Sequence, residues 1–267
     1  MSVPAFLSVT PYYQETVGVS DVSTIITNLG ALLTSQSPAW TLLSGVYYSP
    51  ADSGRQFNIT MTRTNAYTMT ILVCQGASQA VQLGPATLTC PNPWSGAVRL
   101  FCGQFYIHID IDLGSTTPVY FCAGVLDLSP EAQNAHTHFL YANATAFAGS
   151  SSNADISNVY MFDNATATYA RRRSGWQSYQ GSGQGFTTPN GARIYRPSEL
   201  WCIPTGGGSA YYLAGRQYNC LMVPSTMLSQ GDEITVPVDV GVTGVFKACG
   251  GPVPYAYISR LLAMRKS

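Results

Sequence analysis

Between Ile107 and Leu113 the chain alternates without a break. Ile107, Ile109, Ile111 and Leu113 fall on one side, and His108, Asp110 and Asp112 on the other. Successive side chains of a strand point to opposite faces, so this pattern predicts one apolar surface and one wet or subunit-facing surface. Gly114-Ser-Thr-Thr-Pro118 then carries turn chemistry, and Val119–Leu126 returns as a second, more continuously apolar strand. The spacing predicts a β-hairpin at the centre of the chain.

Toward the N-terminus the period changes. Val22, Ile25, Ile26, Leu29, Leu32 and Leu33 recur at helical spacing behind a possible cap at Ser20 or Asp21. A helix of about 14 residues with one apolar stripe follows from that pattern, and it should lie on a sheet. Residues 1–19 read as mostly extended. Ser35–Pro38 ends the helix, and Trp40, Leu42 and Val46–Tyr48 begin the first strand. Phe57, Ile59 and Met61 alternate with Asn58, Thr60 and Thr62, and Met69, Ile71 and Val73 answer them after Asn65-Ala66 as a hairpin. Ala80–Cys90 is a third strand region, closed by the turn residues of Pro91–Gly96.

Beyond Pro130 the periodicity fades. Residues 147–158 and 174–191 are rich in Gly, Ser, Asn and Gln, which predicts long loops acting as interaction arms. Strand character returns over 193–203, 210–223 and 232–240, and Tyr255–Met264 reads as a strand or short helix. The expected fold is mainly β: an antiparallel β-sandwich-like domain with one N-terminal helix and long loops. Residues 1–130 would form the helix and sandwich core, 131–191 a loop-rich insertion, and 192–267 strands completing or extending the β domain.

Composition alters this picture in one respect. Apolar residues make up 46% of the 267 positions, but charged residues only 10%, well under the usual quarter. So little charge suggests that much of the surface meets protein rather than water. The formal charge is zero, which argues against a sequence-specific nucleic-acid binder. Lys247 and Lys266 are the only lysines; the other eleven basic residues are Arg, and there are 17 Tyr, both interface habits. The opening MSVPAFLSVTPYYQ has neither a basic start nor a long apolar segment, so the expectation is a chain made in the cytoplasm, with no membrane span.

Candidate chemistry is sparse. His108, Asp110 and Asp112 share a strand face and could in principle hold a metal, and His136 and His138 repeat the spacing. Without a wider ligand signature, the reading is an ordinary solvated or interface-facing edge and no metal or other cofactor. Arg171-Arg172-Arg173, with Trp176 close by, is the one basic cluster and a candidate interface. No phosphate loop, nucleophile elbow or zincin motif is present, so no catalytic residue is assigned and no enzyme is expected. Asn58, Asn143 and Asn164 begin Asn-x-Thr triplets, read as chance.

Seven cysteines, none in a Cys-x-x-Cys pair, are many for a reducing compartment. They read either as buried thiols or as cross-links formed after release from the cell. For the second reading, Cys202, Cys220 and Cys249 are the candidates.

Three segments carry a resemblance. They are TPYYQETVGVSDVSTIITNLGALL followed by Trp40, YYSPADSGRQFNITMTRT, and FYIHIDIDLGSTTPVYFCAGVLDLS. Their order over residues 1–130 resembles virion structural proteins of long-tailed bacteriophages. The resemblance implies a β-sandwich-like block in a symmetric homo-oligomeric ring at the neck or collar, located in the virion and contacting other virion proteins. A capsid decoration or baseplate component would share this composition. A carbohydrate-binding β-sandwich is the other class, with Trp94, Trp176, Trp201 and the tyrosines as stacking platforms.

Overall fold

The computed structural model describes residues 7–51, 55–79, 82–114, 119–127, 138–142, 159–163, 168–172, 196–202, 212–224, 228–239, 241–249 and 260–267. It is mainly β, with curled antiparallel sheets in a sandwich-like arrangement. Among the described residues there is one α-helix and no helix long and apolar enough to cross a membrane.

The strand β1 (Tyr12–Val19) leads into α1 (Val22–Ser35). Asp21 caps the helix, its carboxylate accepting from the Ser23 amide at 2.7 Å. Val22, Ile25, Leu29 and Leu33 are fully buried, the stripe expected from their spacing. That stripe rests on β1 and on two later strands.

Next come β2 (Thr41–Leu43) and β3 (Val46–Tyr48), followed by β4 (Phe57–Asn65), β5 (Thr68–Gln75) and β6 (Gln82–Thr89). These five form one sheet in sequence order. The pattern around Trp40 to Tyr48 predicted a single strand. It is a tight hairpin instead, because Ser44 and Gly45 adopt positive φ (50° and 81°), the backbone of a two-residue turn that matches strand twist.

The second sheet holds twelve strands. From β1 it continues through β7 (Gly96–Gly103), β8 (Tyr106–Asp112) and β9 (Val119–Asp127). β8 and β9 are the expected central hairpin, and β9 is buried at eight of its nine positions. β7 was not expected, yet it lies between β1 and β8. Within 131–191, where composition predicted loops, three short strands form: β10 (His138–Ala142), β11 (Val159–Asp163) and β12 (Thr168–Arg172). β10 pairs with β9, so a segment too short to show a period gains its strand from the neighbour's hydrogen bonds.

The chain closes with β13 (Arg196–Cys202), β14 (Tyr212–Pro224), β15 (Glu233–Asp239), β16 (Val242–Cys249) and β17 (Arg260–Arg265). Of these, β16 was missing from the sequence reading. β14 pairs with β9 and with β17, so the C-terminal strands continue the central sheet rather than form a separate one. The sheet curls, and β16 returns over the face of β1, β7 and β8. Lys247 on β16 reaches Glu15 on β1 at 2.8 Å, although 232 positions separate them.

The two faces of β8 therefore meet different neighbours, and both are covered. In antiparallel register, cross-strand partners share a face. Val98, Leu100 and Cys102 pair with Ile111, Ile109 and Ile107, which makes the apolar face. That face looks toward α1 and the five-stranded sheet: Gln36 lies 3.8 Å from the Cys102 sulfur, and Trp40 donates to the Gly103 carbonyl at 3.2 Å.

Candidate functional site

On the second face of β8 the register brings chemistry together. Glu15 on β1 sits opposite Arg99 on β7, and Arg99 sits opposite Asp110 on β8. Three neighbouring strands thus present acid, base, acid in one row. Arg99 uses its whole guanidinium: Nε to Glu15 at 3.0 Å, Nη1 to Asp110 at 2.9 Å and Nη2 to Asp112 at 3.0 Å. Gln230 donates to the second Asp110 oxygen at 2.8 Å. Lys247 bridges Glu15 and Glu233, and Lys266 also holds Glu233 at 2.7 Å.

This face was expected to be wet or to meet another subunit. It is the interior: His108 and Asp110 are both 0% exposed and Arg99 5%. The reason is tertiary. A strand alternation shows that one side is polar, but it does not show whether that side faces solvent or a second layer carrying matching charges. Here β16 and the 230–231 turn supply that layer. Gly231, with φ +94°, leaves room for the guanidinium, since a Cβ there would stand 2.7 Å from Arg99 Nη2.

The electrostatics follow from burial against pairing. For Arg99, burial alone would lower the pKa, but Asp110, aided by Asp112 and Glu15, outweighs it and raises it. For Glu15, burial pushes upward, and hydrogen bonds from Lys247, Tyr13 and Arg99 prevail, bringing it down to about 2. Glu15 and Arg99 are held ionised.

His108 shares the row with Phe101 on β7 and Cys122 on β9. Neither of its ring nitrogens has a hydrogen-bond partner, and burial lowers its pKa to about 3, so it is a neutral imidazole. Across from it on β16 is Cys249, also 0% exposed, its thiol raised well above the ordinary value, first by burial and then by Asp110. One ligand-type atom from each of His108, Asp110 and Cys249 lies within 4.8 Å of the others. Asp112, the third member of the expected face-sharing set, is outside this trio and binds Arg99 instead.

His138 is 0% exposed on β10, its Nε2 3.0 Å from the Gln56 carbonyl, while His136 lies outside the described residues. Arg171 and Arg172 lie on β12, at one end of the β10–β11–β12 ladder; Arg173, Trp176 and the 147–158 and 174–191 loops lie outside the described residues. Cys202 ends β13. Cys220 and Cys249 are buried thiols, as are Cys74, Cys90, Cys102 and Cys122. Trp94 is only 8% exposed and donates to the Ala66 carbonyl, so its ring is not an open platform for a sugar.

Arg99, Gln230, Gly231 and Lys247 were not singled out from the sequence. A signal existed for Arg99: the Val98, Leu100, Cys102 alternation, with Arg99 as the one charge of a strand adjacent to a doubly acidic one. No family model and no curated protein matches the sequence.

Proposed function

We propose that the chain is a non-enzymatic structural component of a tailed phage particle, a neck or collar protein assembling in a symmetric ring at the head–tail junction. The observation that carries the reading is where the charges and the apolar side chains lie. The chain has few charges, and Glu15, Arg99, Asp110 and Asp112 are paired with one another on the β1–β7–β8 face. At the same time β2, the terminal strand of the five-stranded sheet, is exposed throughout, with Leu42 at 50% and Leu43 at 61%. Val17 on β1, which ends the other sheet, is 76% exposed. A terminal strand carrying outward leucines offers both backbone hydrogen bonds and apolar area, the ingredients of lateral association. An interior salt-bridge network also suits a scaffold, because it holds two layers in one register.

Electron microscopy of particles from a culture producing the chain, labelled with an antibody raised against it, tests the reading. Label confined to the head–tail junction is the expected result. Label on the head surface or at the baseplate replaces the neck by a decoration or baseplate role. A chain found on no particle, or one that binds glycans as a monomer, overturns the proposal. Lysine at both Leu42 and Leu43 should prevent self-association while leaving the melting temperature of the monomer unchanged.

A further inference from the structure

We propose that His108, Asp110 and Cys249 form a binding site for one borderline divalent cation of the zinc type, closed inside the curled sheet. The first observation is convergence. His108 and Asp110 stand two residues apart on one face of β8, and Cys249 reaches them from β16, so that three potential donors lie within 4.8 Å of one another. All three are buried. An imidazole, a carboxylate and a thiolate are a mixed N, O, S set that suits zinc and not calcium or magnesium. Bonds of roughly 2.0–2.3 Å to a tetrahedral ion place ligand atoms about 3.3–3.8 Å apart, so the trio needs to draw in by only about 1 Å.

The second observation is independent of that convergence. His108 is fully buried and neither ring nitrogen has a hydrogen-bond partner. A buried polar atom without a partner carries a desolvation cost that native interiors rarely leave unanswered. Coordination through one ring nitrogen answers it. Among the described residues neither His108 nitrogen finds a hydrogen-bond partner, whereas the neighbouring Asp110 is held by Arg99 and by Gln230.

Those engagements favour the ion rather than compete with it. Asp110 accepts from Arg99 at one oxygen and from Gln230 at the other, and these bonds fix its carboxylate among the three converging donors. Hydrogen bonds of this kind orient ligating carboxylates in metal sites. Charge points the same way. Around Arg99 three carboxylates, Glu15, Asp110 and Asp112, meet one guanidinium and the Lys247 ammonium, which leaves one negative charge over. A divalent ion bound with the Cys249 thiolate, the thiol proton passing to solvent, brings the cluster to neutrality. Three protein ligands leave a fourth position for water or for the Gln230 side-chain carbonyl. Because β8 and β16 come from distant parts of the chain, the ion binds as the sheet closes and ties the two layers together.

The full-length chain is unfolded in denaturant with a chelator and refolded with or without Zn²⁺; retained metal is then measured by elemental analysis after gel filtration. Close to one equivalent per chain and a higher melting temperature are expected. Refolding with Co²⁺ should give a thiolate-to-metal charge-transfer band. Cys249→Ser should abolish that band, and both Cys249→Ser and His108→Gln should weaken retention by at least about 100-fold, the upper end for merely loosening a ligand. Cys90→Ser, at another buried thiol, should leave both unchanged. Sub-stoichiometric metal in the wild type, or equal retention by the ligand variants, overturns the site. If a ligand variant does not fold, the wild-type Co²⁺ spectrum decides alone, and absence of a thiolate band is refutation.

Discussion

Removing the Arg99 charge is the sharpest probe of the interior network. Arg99→Met keeps much of the side-chain volume and leaves three carboxylates without their shared partner. Their fates differ with exposure. Asp112 and Glu15 have side chains 23% and 27% exposed, and Glu15 keeps Lys247. Asp110 is 0% exposed and loses the guanidinium that pairs with it, retaining the hydrogen bond from Gln230. Breaking a buried pair from one side costs about 3–5 kcal/mol because the remaining charge is stranded in low dielectric. Loss of a partly exposed pair costs about 1 kcal/mol or less. Arg99→Met should therefore lower the melting temperature by roughly 6–20 °C, using about 2–4 °C per kcal/mol for a chain of this size. Glu15→Gln and Asp112→Asn should each shift it by only a few degrees. Differential scanning calorimetry in chelator-containing buffer measures all three. Coupling from double-mutant cycles should be larger for Arg99 with Asp110 than for Arg99 with Glu15. Equal and small shifts in all three single variants would show that water reaches Asp110 and would refute the burial argument.

Three further outcomes follow from particular residues. Ile109 is 0% exposed on the apolar face of β8, so Ile109→Asp should prevent soluble folding, and a soluble, cooperatively melting variant would contradict its placement. His138 is held neutral: burial first, with Arg55 adding, lowers its pKa from 6.5 to about 4 against the hydrogen bond to Gln56. Only the unfolded chain then takes up this proton as pH falls from 6.5 toward 4, so the contribution is complete above that window and its loss within it amounts to about 3 kcal/mol. His108 titrates in the same sense, so urea midpoints between pH 7 and pH 4.5 should fall less steeply, not level off, in His138→Gln; an unchanged slope would be the contrary result. Gly231→Ala forces a side chain into φ +94° and against Arg99, and should cost about 1–3 kcal/mol; an undiminished melting temperature would remove the turn from the network.

Elements whose information is local could be read from residue spacing alone. Helix α1 was legible to within a residue of its cap, left between Ser20 and Asp21, because stripe and cap lie close together in the chain. The β4–β5 and β8–β9 hairpins were legible because a two-residue period and a turn need no distant partner. The membership of His108, Asp110 and Asp112 in one polar face was legible for the same reason. What that face meets was not. Whether a polar strand side faces water or a matching layer depends on which strand packs over it, and β16, with Lys247 and Cys249, comes from near the opposite end of the chain. The same holds for β7, whose Arg99 has meaning only between β1 and β8, and for β10, whose five residues form a strand because β9 offers them an edge. Local period encodes direction; only the curl of the sheet decides that Asp110, Arg99 and His108 share a buried interior with Glu15 and Asp112 at its margin.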